Sequence, residues 1–353
     1  MQSSYLAEDV TILLKDITGQ LEPTDTKTRE KLIQSGTHYS EMLPLEYVPS
    51  PPYFAAYQNA LEQSTEQCAR AAATVAEQIL RDKGKDVVLV SLARAGTSIG
   101  VLIKRWIQFR YQINVPHYTI SIIRGRGIDR NAMRHLLEQY SPKQIQFVDG
   151  WTGKGAIDNT LRKEMAAYPG IDPMLAVLSD PARITDFCGT HDDFLIPSAC
   201  LNSTISGLMS RTVLRDDLIG ADDFHGAVYY GEMKDADQTY GFIDRVCAAF
   251  GQIQPEEIPA RTAEEAGAGL REVQKIAKEF GISDINLVKP SIGEATRVLL
   301  RRVPWKLLIR ADRMESEVTA HMRQLAKEKG VEVVPYPLEN YTACGIIKEM
   351  QDV

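Results

Sequence analysis

The sequence predicts an α/β protein in which a mostly parallel sheet with flanking helices is followed by a small second α/β domain. Apolar runs alternate with helical periodicities over residues 57–178, and a second series of the same kind occupies residues 270–350. A stretch rich in proline and glutamate, residues 252–269, separates the two series and is typical of a linker. At about 100–200 residues per domain, the 353 residues suffice for two domains.

In the first series, the prolines around residues 44–52 predict an irregular N-terminal extension over residues 1–60. Continuous apolar strands separated by helices are typical of a buried parallel sheet with right-handed crossovers. Residues 181–251 are expected to cover the substrate region as a hood, which gives a first domain of residues 1–251. The predicted helices are 57–83, 99–108, 130–139 and 156–167, and the predicted strands are 87–90, 118–123, 145–148 and 175–178.

The second series predicts a compact α/β layer over residues 270–353. Its apolar positions recur at helical spacing until Gly281, which is placed to end the first helix. The elements expected here are helices 270–280, 294–302, 314–329 and 342–350, and strands 285–288, 306–309 and 331–334.

Composition restricts the class of protein. Hydrophobic residues make up 44% and charged residues 25%, which is the balance of a globular chain. The five cysteines form no CxxC pair, so a disulfide framework is not expected, and no apolar run reaches the roughly 18 residues of a membrane span. We expect a cytoplasmic protein without a membrane partner. The net charge of −7 argues against general nucleic-acid binding, but residues 289–313 carry seven basic residues and only two acidic ones.

Ligands of open α/β sheets bind at the carboxyl ends of the strands, where this sequence has three glycine-bearing turns. In the first turn, small residues would let backbone N–H groups approach an anion, and Arg94 supplies a fixed fork for it. In the second, Arg124 and Arg126 flank glycines in a loop suited to closing over a polyanion. In the third turn, Asp149 could accept hydrogen bonds from ribose hydroxyls or bind a water molecule coordinated to Mg²⁺. The residues expected to bind the substrate are Ser91, Ala95, Gly96 and Thr97 in the first turn and Thr152, Gly153, Lys154 and Gly155 in the third.

These turns, SLARAGT (residues 91–97) and VDGWTGKG (residues 148–155), resemble those of type I phosphoribosyltransferases. SGTHYSE (residues 35–41) and LNSTISGL (residues 201–208) resemble the divergent phosphoribosyltransferase-like branch associated with tellurium resistance and stress, also labelled StiP-type cysteine protease. The resemblance implies phosphoribosyl pyrophosphate and Mg²⁺ as ligands and a nucleobase-like acceptor. The catalytic residues it implies are Arg94, Arg124, Arg126 and Asp149, with Asp149 holding Mg²⁺ through water.

Two further groups of residues each have more than one interpretation. Ser203, Thr204 and Arg211 suit a small polar ligand, or equally the entry of a capped helix. Cys188 and His191 lie three residues apart and could form a cysteine protease site, or could bind a metal together with Cys200. An inert loop cysteine beside a surface histidine explains the same pattern.

In the second domain, KPSIGEATR (residues 289–297) resembles the RNA-binding element of Pelota and of kink-turn-binding ribosomal proteins. The resemblance implies an α-β-α sandwich over residues 270–353 and a structured RNA partner, and the basic segment would supply the phosphate contacts. The residues that the resemblance assigns to RNA are Glu294, Thr296 and Arg297, and we expect Lys289, Gly293 and Arg301 to bind RNA beside them.

Together these features predict a phosphoribosyltransferase-like enzyme that forms or exchanges an N-glycosidic bond to a base, on RNA or under its regulation. Two rival functions stay open. One is a non-catalytic RNA-binding protein that senses a nucleotide, which Gly150 favours because it stands where a second acidic residue is usual. The other is a cysteine protease using Cys188 and His191. A homodimer is compatible with all three.

Overall fold

The computed structural model describes residues 1–349, and it confirms the predicted α/β architecture with a separate small C-terminal domain. The sheet of the first domain has six parallel strands in the order β1-β3-β2-β4-β5-β6. In chain order these strands are β1 (Thr11–Ile12), β2 (Val88–Leu92), β3 (His117–Ile120), β4 (Ile145–Trp151), β5 (Leu175–Ser179) and β6 (Cys188–Thr190).

Helices cover both faces of this sheet, which explains why β2 and β5 are buried at every residue. They are α1 (Thr26–Gln34), α2 (Pro51–Lys83), α3 (Ala95–Tyr111), α4 (Arg130–Leu137), α5 (Ala156–Met165) and α6 (Thr239–Ala248). The longest helix, α2, begins six residues before the predicted start, because Ser50 caps it and prolines are tolerated in a first helical turn. The N-terminal extension is less irregular than predicted, since it contains α1.

The C-terminal domain has a four-stranded mixed sheet in the order β7-β10-β8-β9. Its strands are β7 (Val288–Pro290), β8 (Pro304–Arg310), β9 (Glu332–Tyr336) and β10 (Ala343–Ile347), and its helices are α7 (Ala268–Glu279), α8 (Ile292–Arg301) and α9 (Ala320–Lys329). Between residues 253 and 267 the chain has no helix or strand.

One predicted element of this domain was wrong in type, and two others begin later than predicted. The last one is a strand instead of a helix, because β10 pairs on both sides with β7 and β8 and all five of its residues are buried. Met350, at the end of the predicted helix, lies outside the described residues. The strand expected at residues 285–288 begins only at Val288, after a single turn of 3-10 helix, and α9 begins at Ala320, after two such turns.

The two domains pack against each other directly. One hydrophobic cluster contains Ala72 of α2 together with Ile292 and Leu299 of α8 and Met322 of α9. The polar counterpart is Asp193, whose carboxylate accepts hydrogen bonds from the N–H groups of Ile292 at 2.9 Å and Thr342 at 2.7 Å. This packing holds the N-terminus of α8 close to the carboxyl ends of the parallel strands. In residues 1–349 no helix is both long and apolar enough to span a membrane.

Candidate functional site

The main cavity has a volume of about 650 Å³ and lies where β2 and β4 end, between the two domains. The first domain lines it with the turns after both strands and with parts of the N-terminal extension. The C-terminal domain lines it with residues between positions 284 and 302. The basic residues that line the cavity are Arg94, Arg124, Lys154, Arg211, Lys289, Arg297, Arg301 and Arg302.

Arg94 lies in the turn after β2, as predicted, and it lines the cavity with Ala95. Its side chain is buried and anchored on both branches: Nη1 donates to the carbonyl oxygen of Met209 at 2.6 Å, and Nη2 lies 3.5 Å from Glu46 Oε1. The peptide bond between Ala93 and Arg94 is cis. The contacts with Met209 and Glu46 hold the guanidinium at the cavity wall in a fixed orientation.

Three other residues predicted in this turn do not line the cavity. The Ser91 hydroxyl faces His117, with 2.7 Å between Oγ and Nε2, and the Thr97 hydroxyl lies 2.8 Å from that of Thr119. Gly96 lies where α3 crosses β4, and a Cβ atom there would collide with the backbone of Val148. These residues are needed for packing, because small side chains let α3 approach the sheet closely.

Asp149 lies within β4, which extends to Trp151, and not in the turn that was predicted to begin after residue 148. It lines the cavity, and one of its carboxylate oxygens accepts the N–H of Gly150 at 2.8 Å. Burial raises the pKa of Asp149 to about 6, against the opposing charge of Arg297. Thr152 Oγ1 donates to Asp180 at 2.6 Å, and Gly155 has a φ of 86°, which suits glycine. Gly155 is the N-cap of α5, whose unpaired first N–H groups could bind an anion.

Gly153 and Lys154 line the cavity but also bind the C-terminal domain. The Lys154 ammonium donates to the carbonyl oxygens of Ile285 and of Val288, the latter at 2.9 Å, and the carbonyl of Gly153 accepts the hydroxyl of Tyr341 at 2.6 Å. Burial and then Arg124 lower the pKa of Lys154 to about 8. Lys154 thus holds the domains together, a role that the sequence did not indicate.

The arginine loop divides into two parts. Arg124 lines the cavity and donates from Nη1 to Asn286 Oδ1 at 2.9 Å. Arg126 is exposed, forms an ion pair with Glu41 and does not line the cavity. In this conformation only Arg124 could reach a bound ligand.

Of the three residues predicted in the hood, only Arg211 reaches the cavity. Its guanidinium lies 4.4 Å from the ring centre of Tyr39, and burial, followed by the nearby Arg29, lowers its pKa to about 9. Ser203 Oγ donates to Glu46 at 3.3 Å, and Thr204 is buried with its carbonyl bound to the N–H of Gln238.

The six residues predicted to bind RNA separate in the same way. Lys289, Glu294, Arg297 and Arg301 line the cavity and therefore face the first domain. Gly293 packs against the indole of Trp151. Thr296 is buried, and its hydroxyl contacts the carbonyl of Ile292 at 2.7 Å and His321 at 2.9 Å, so neither Gly293 nor Thr296 is accessible in this arrangement.

Sequence reasoning missed several residues of the site. Trp151 is the last residue of β4, two residues after Asp149, and its ring centre lies 4.4 Å from the Arg297 guanidinium. Glu46 is buried beside Arg94, and Glu30 forms a buried ion pair with Arg302. An aromatic residue at a strand end was a readable signal for Trp151. No local sequence signal indicated Glu30 or Glu46, because both lie in the N-terminal extension, where apolar residues show little periodicity.

Mg²⁺ prefers carboxylate oxygens together with phosphate oxygens and water. Asp149 and Glu294 both line the cavity, and each could supply a carboxylate oxygen to such an ion. Burial opposes the charge of Glu294, but Lys289 and Arg297 hold its pKa below the usual value.

A second group of reactive side chains lies at the ends of β5 and β6. Cys188 Sγ is 3.8 Å from both ring nitrogens of His191, and His191 Nδ1 is 3.3 Å from Asp180 Oδ2. Asp180, which sequence reasoning missed, also accepts the N–H groups of Ile184 and Thr185. Cys188 is fully buried, and burial followed by Asp180 raises the pKa of its thiol.

These three side chains also satisfy the distances of a three-ligand metal group, with Asp180 in the place predicted for Cys200. Cys200 is buried elsewhere, and its carbonyl accepts the hydroxyl of Tyr53 at 2.6 Å.

Fold and site together define an α/β protein with a cationic cavity at the strand ends and a separate cysteine–histidine–aspartate group. Comparison with known families identifies the chain more closely. Residues 3–247 match the family described as tellurite-like stress resistance cysteine protease StiP, and residues 267–349 match the PELOTA RNA binding domain. The chain therefore belongs to the StiP family.

A curated relative, "Cysteine protease StiP" of Acinetobacter baylyi, is 37% identical over 364 residues, which cover 98% of this chain and 94% of the relative. A hypoxanthine-guanine phosphoribosyltransferase of Bacillus anthracis is a much weaker structural match. It shows 17% identity and a TM-score of 0.28 over 36% of this chain and 77% of that structure. A second structure of this enzyme, with HEPES in the active site, shows 13% identity and a TM-score of 0.24. The match covers 42% of this chain and 80% of that structure.

Proposed function

We propose that the strand-end cavity binds a phosphorylated ribose, with phosphoribosyl pyrophosphate as the substrate of a base transfer. The observation that carries this proposal is the excess of positive charge around the cavity. Arg211 and Arg301 form no ion pair with any carboxylate of residues 1–349, whereas Arg94 and Arg297 have Glu46 and Glu294 as partners. Burial lowers the pKa of both unpaired arginines, which marks them as cations that need a counter-ion.

In this transfer, the bond between the anomeric carbon and the pyrophosphate oxygen breaks, and a bond from that carbon to a base nitrogen forms. The base nitrogen loses a proton, and pyrophosphate leaves with the bonding electrons. Arg94 and Arg211 would bind phosphate oxygens and stabilise the charge that develops on the leaving group. Asp149, with a pKa of about 6, could accept a hydrogen bond from a ribose hydroxyl or take up the proton that the base nitrogen loses. Bound Mg²⁺ would neutralise part of the pyrophosphate charge.

A pyrophosphate-release assay on the full chain with Mg²⁺, phosphoribosyl pyrophosphate and a panel of bases and RNAs tests this proposal. We expect Arg211→Met to weaken binding of the substrate by about tenfold or more, because one charge-assisted contact is lost. Arg313→Met is the matched control, since Arg313 is exposed and does not line the cavity. Tight binding without release would favour a nucleotide-sensing protein, and no binding would refute the proposal.

A cysteine peptidase is the second candidate, supported by the contact of Cys188 with His191 and of His191 with Asp180. The family description and the name of the curated relative support this candidate more directly than the first. A thiolate attacks the substrate carbonyl only when it can reach it, so the buried Cys188 would have to become exposed during the reaction.

The peptidase candidate predicts hydrolysis of unfolded protein substrates that Cys188→Ser abolishes. An epoxide inhibitor should attach to Cys188, as mass spectrometry of peptides would detect. Cys247→Ser is the matched control, because Cys247 is a partly exposed cysteine outside the group. Equal hydrolysis by both variants would exclude Cys188 as the nucleophile.

The match to the PELOTA RNA binding domain supports RNA as a partner of the C-terminal domain. Phosphate contacts make such binding depend on salt, so a mobility shift of structured RNA by the full chain should weaken as salt rises. Absence of a shift at low salt would argue against an RNA partner.

A further inference from the structure

Four basic residues of the C-terminal domain, Lys289, Arg297, Arg301 and Arg302, line the cavity between the domains. Arg94 and Asp149 of the first domain line the same cavity. Burial lowers the pKa of Lys289 to about 7, and the neighbouring Glu294 opposes this shift. Residues on a solvated RNA-binding face would not show such desolvation.

Specific contacts fix this orientation. Arg301 donates to the side chain of Asn202, and its carbonyl oxygen accepts Nη2 of Arg29 at 3.0 Å. Arg302 forms its ion pair with Glu30, so three arginines of two domains meet on one side of the cavity. Arg29 is fully buried, and its Nε and Nη1 atoms have no hydrogen-bond partner within residues 1–349.

This arrangement concentrates like charges. Burial lowers the pKa of Arg301, and the neighbouring arginines Arg94 and Arg297 lower it further. The Arg297 guanidinium is held between Glu294, at 3.8 Å, and the face of Trp151. Like charges brought together in a desolvated cavity repel strongly, and a bound polyanion would convert this repulsion into attraction.

We propose that the C-terminal domain supplies half of a composite anion site, in which Arg297 and Arg301 bind the diphosphate group of the ligand that Arg94 and Arg211 hold from the other side. The inference rests on the proposed phosphorylated-ribose function and names the part of the ligand that each domain binds. The ligand class is a small diphosphate ester, and the C-terminal domain closes over it. An RNA that used Arg297 and Arg301 would compete with this ligand.

Calorimetric titration of the full chain with inorganic pyrophosphate tests the composite site. We expect Arg297→Met and Arg301→Met each to weaken binding by about tenfold to a hundredfold, because each removes a charged donor. Arg297→Lys keeps the charge and should lose only a few-fold. Arg313→Met, in the same basic segment, should bind as the wild type does.

Wild-type affinity in both methionine variants would overturn the composite site. If Arg211→Met alone weakened binding, the first domain would still hold the anion and the proposed function would survive. If the wild type bound neither pyrophosphate nor phosphoribosyl pyrophosphate, both proposals would fail. Thermal unfolding of each variant checks that the fold is intact, and retained binding by Arg297→Lys separates loss of charge from loss of packing.

Discussion

The contact between Gly293 and Trp151 allows a direct test of how the two domains meet. A Cβ atom at Gly293 would lie 2.6 Å from two carbons of the indole, about 1 Å closer than carbon atoms normally approach. Gly293→Ala should therefore cost about 1–3 kcal/mol of unfolding free energy through overpacking. A gain of about 0.5–1 kcal/mol from the lower backbone entropy of alanine in α8 partly offsets this cost.

The measurement is a double-mutant cycle, in which circular dichroism monitors the urea unfolding of the full chain. In a Trp151→Ala background the collision is absent, so Gly293→Ala should be neutral or slightly stabilising, with a coupling energy of about 1–3 kcal/mol. Gly251→Ala is the matched control, because nothing lies within 4 Å of a Cβ atom there. A Gly293→Ala variant as stable as the control, with no coupling to Trp151, would refute the docked arrangement of the domains.

Three further predictions concern the interior of the first domain. Thr152→Val removes the hydroxyl that donates to the buried Asp180 at 2.6 Å and should cost about 1–3 kcal/mol of unfolding free energy. Thr160→Val is the control and should cost less, because the Thr160 hydroxyl contacts only a carbonyl of its own helix. Equal losses of stability in the two variants would contradict this prediction. Burial lowers the pKa of His117 to about 4, so the unfolded state takes up its proton first as the pH falls. The wild type should thus lose about 2 kcal/mol of stability from this group between pH 7 and pH 5, a loss that His117→Asn should not show in pH-dependent urea unfolding. Native protein treated with iodoacetamide at pH 8 should be alkylated at Cys247 before Cys188, because Cys188 is fully buried and the pKa of its thiol is raised. Mass spectrometry of peptides measures the order of labelling. Rapid labelling of Cys188 in the native protein would contradict its burial and favour the peptidase candidate.

Local patterns were sufficient to predict four of the six strands of the central sheet, but not the short strands β1 and β6. The strands at Val88–Leu92 and Leu175–Ser179 read as continuous apolar runs because helices cover both of their faces. The segment Ala343–Ile347 was predicted as a helix because its apolar residues suit either structure, and only pairing with two neighbouring strands makes it a strand. Long-range pairing of this kind leaves no local signal.

The candidate site shows the same limit. Arg94 and Asp149 were predicted because they come soon after the apolar runs 87–90 and 145–148, and both line the cavity, although Asp149 lies within β4. Ser91 and Thr97 have the same local pattern, but strand alternation and the first turn of α3 direct their hydroxyls into the interior. That Arg297 and Arg301 face the first domain depends on domain docking, which no motif in the sequence specifies.

A crystal structure of the full chain with phosphoribosyl pyrophosphate and Mg²⁺ would show whether the two domains bind one ligand between them. We expect the ligand in the strand-end cavity, with phosphate oxygens within hydrogen-bonding distance of Arg211 from the first domain and Arg297 from the second. An empty cavity with the ligand bound elsewhere, or a C-terminal domain turned away from the cavity, would contradict this expectation.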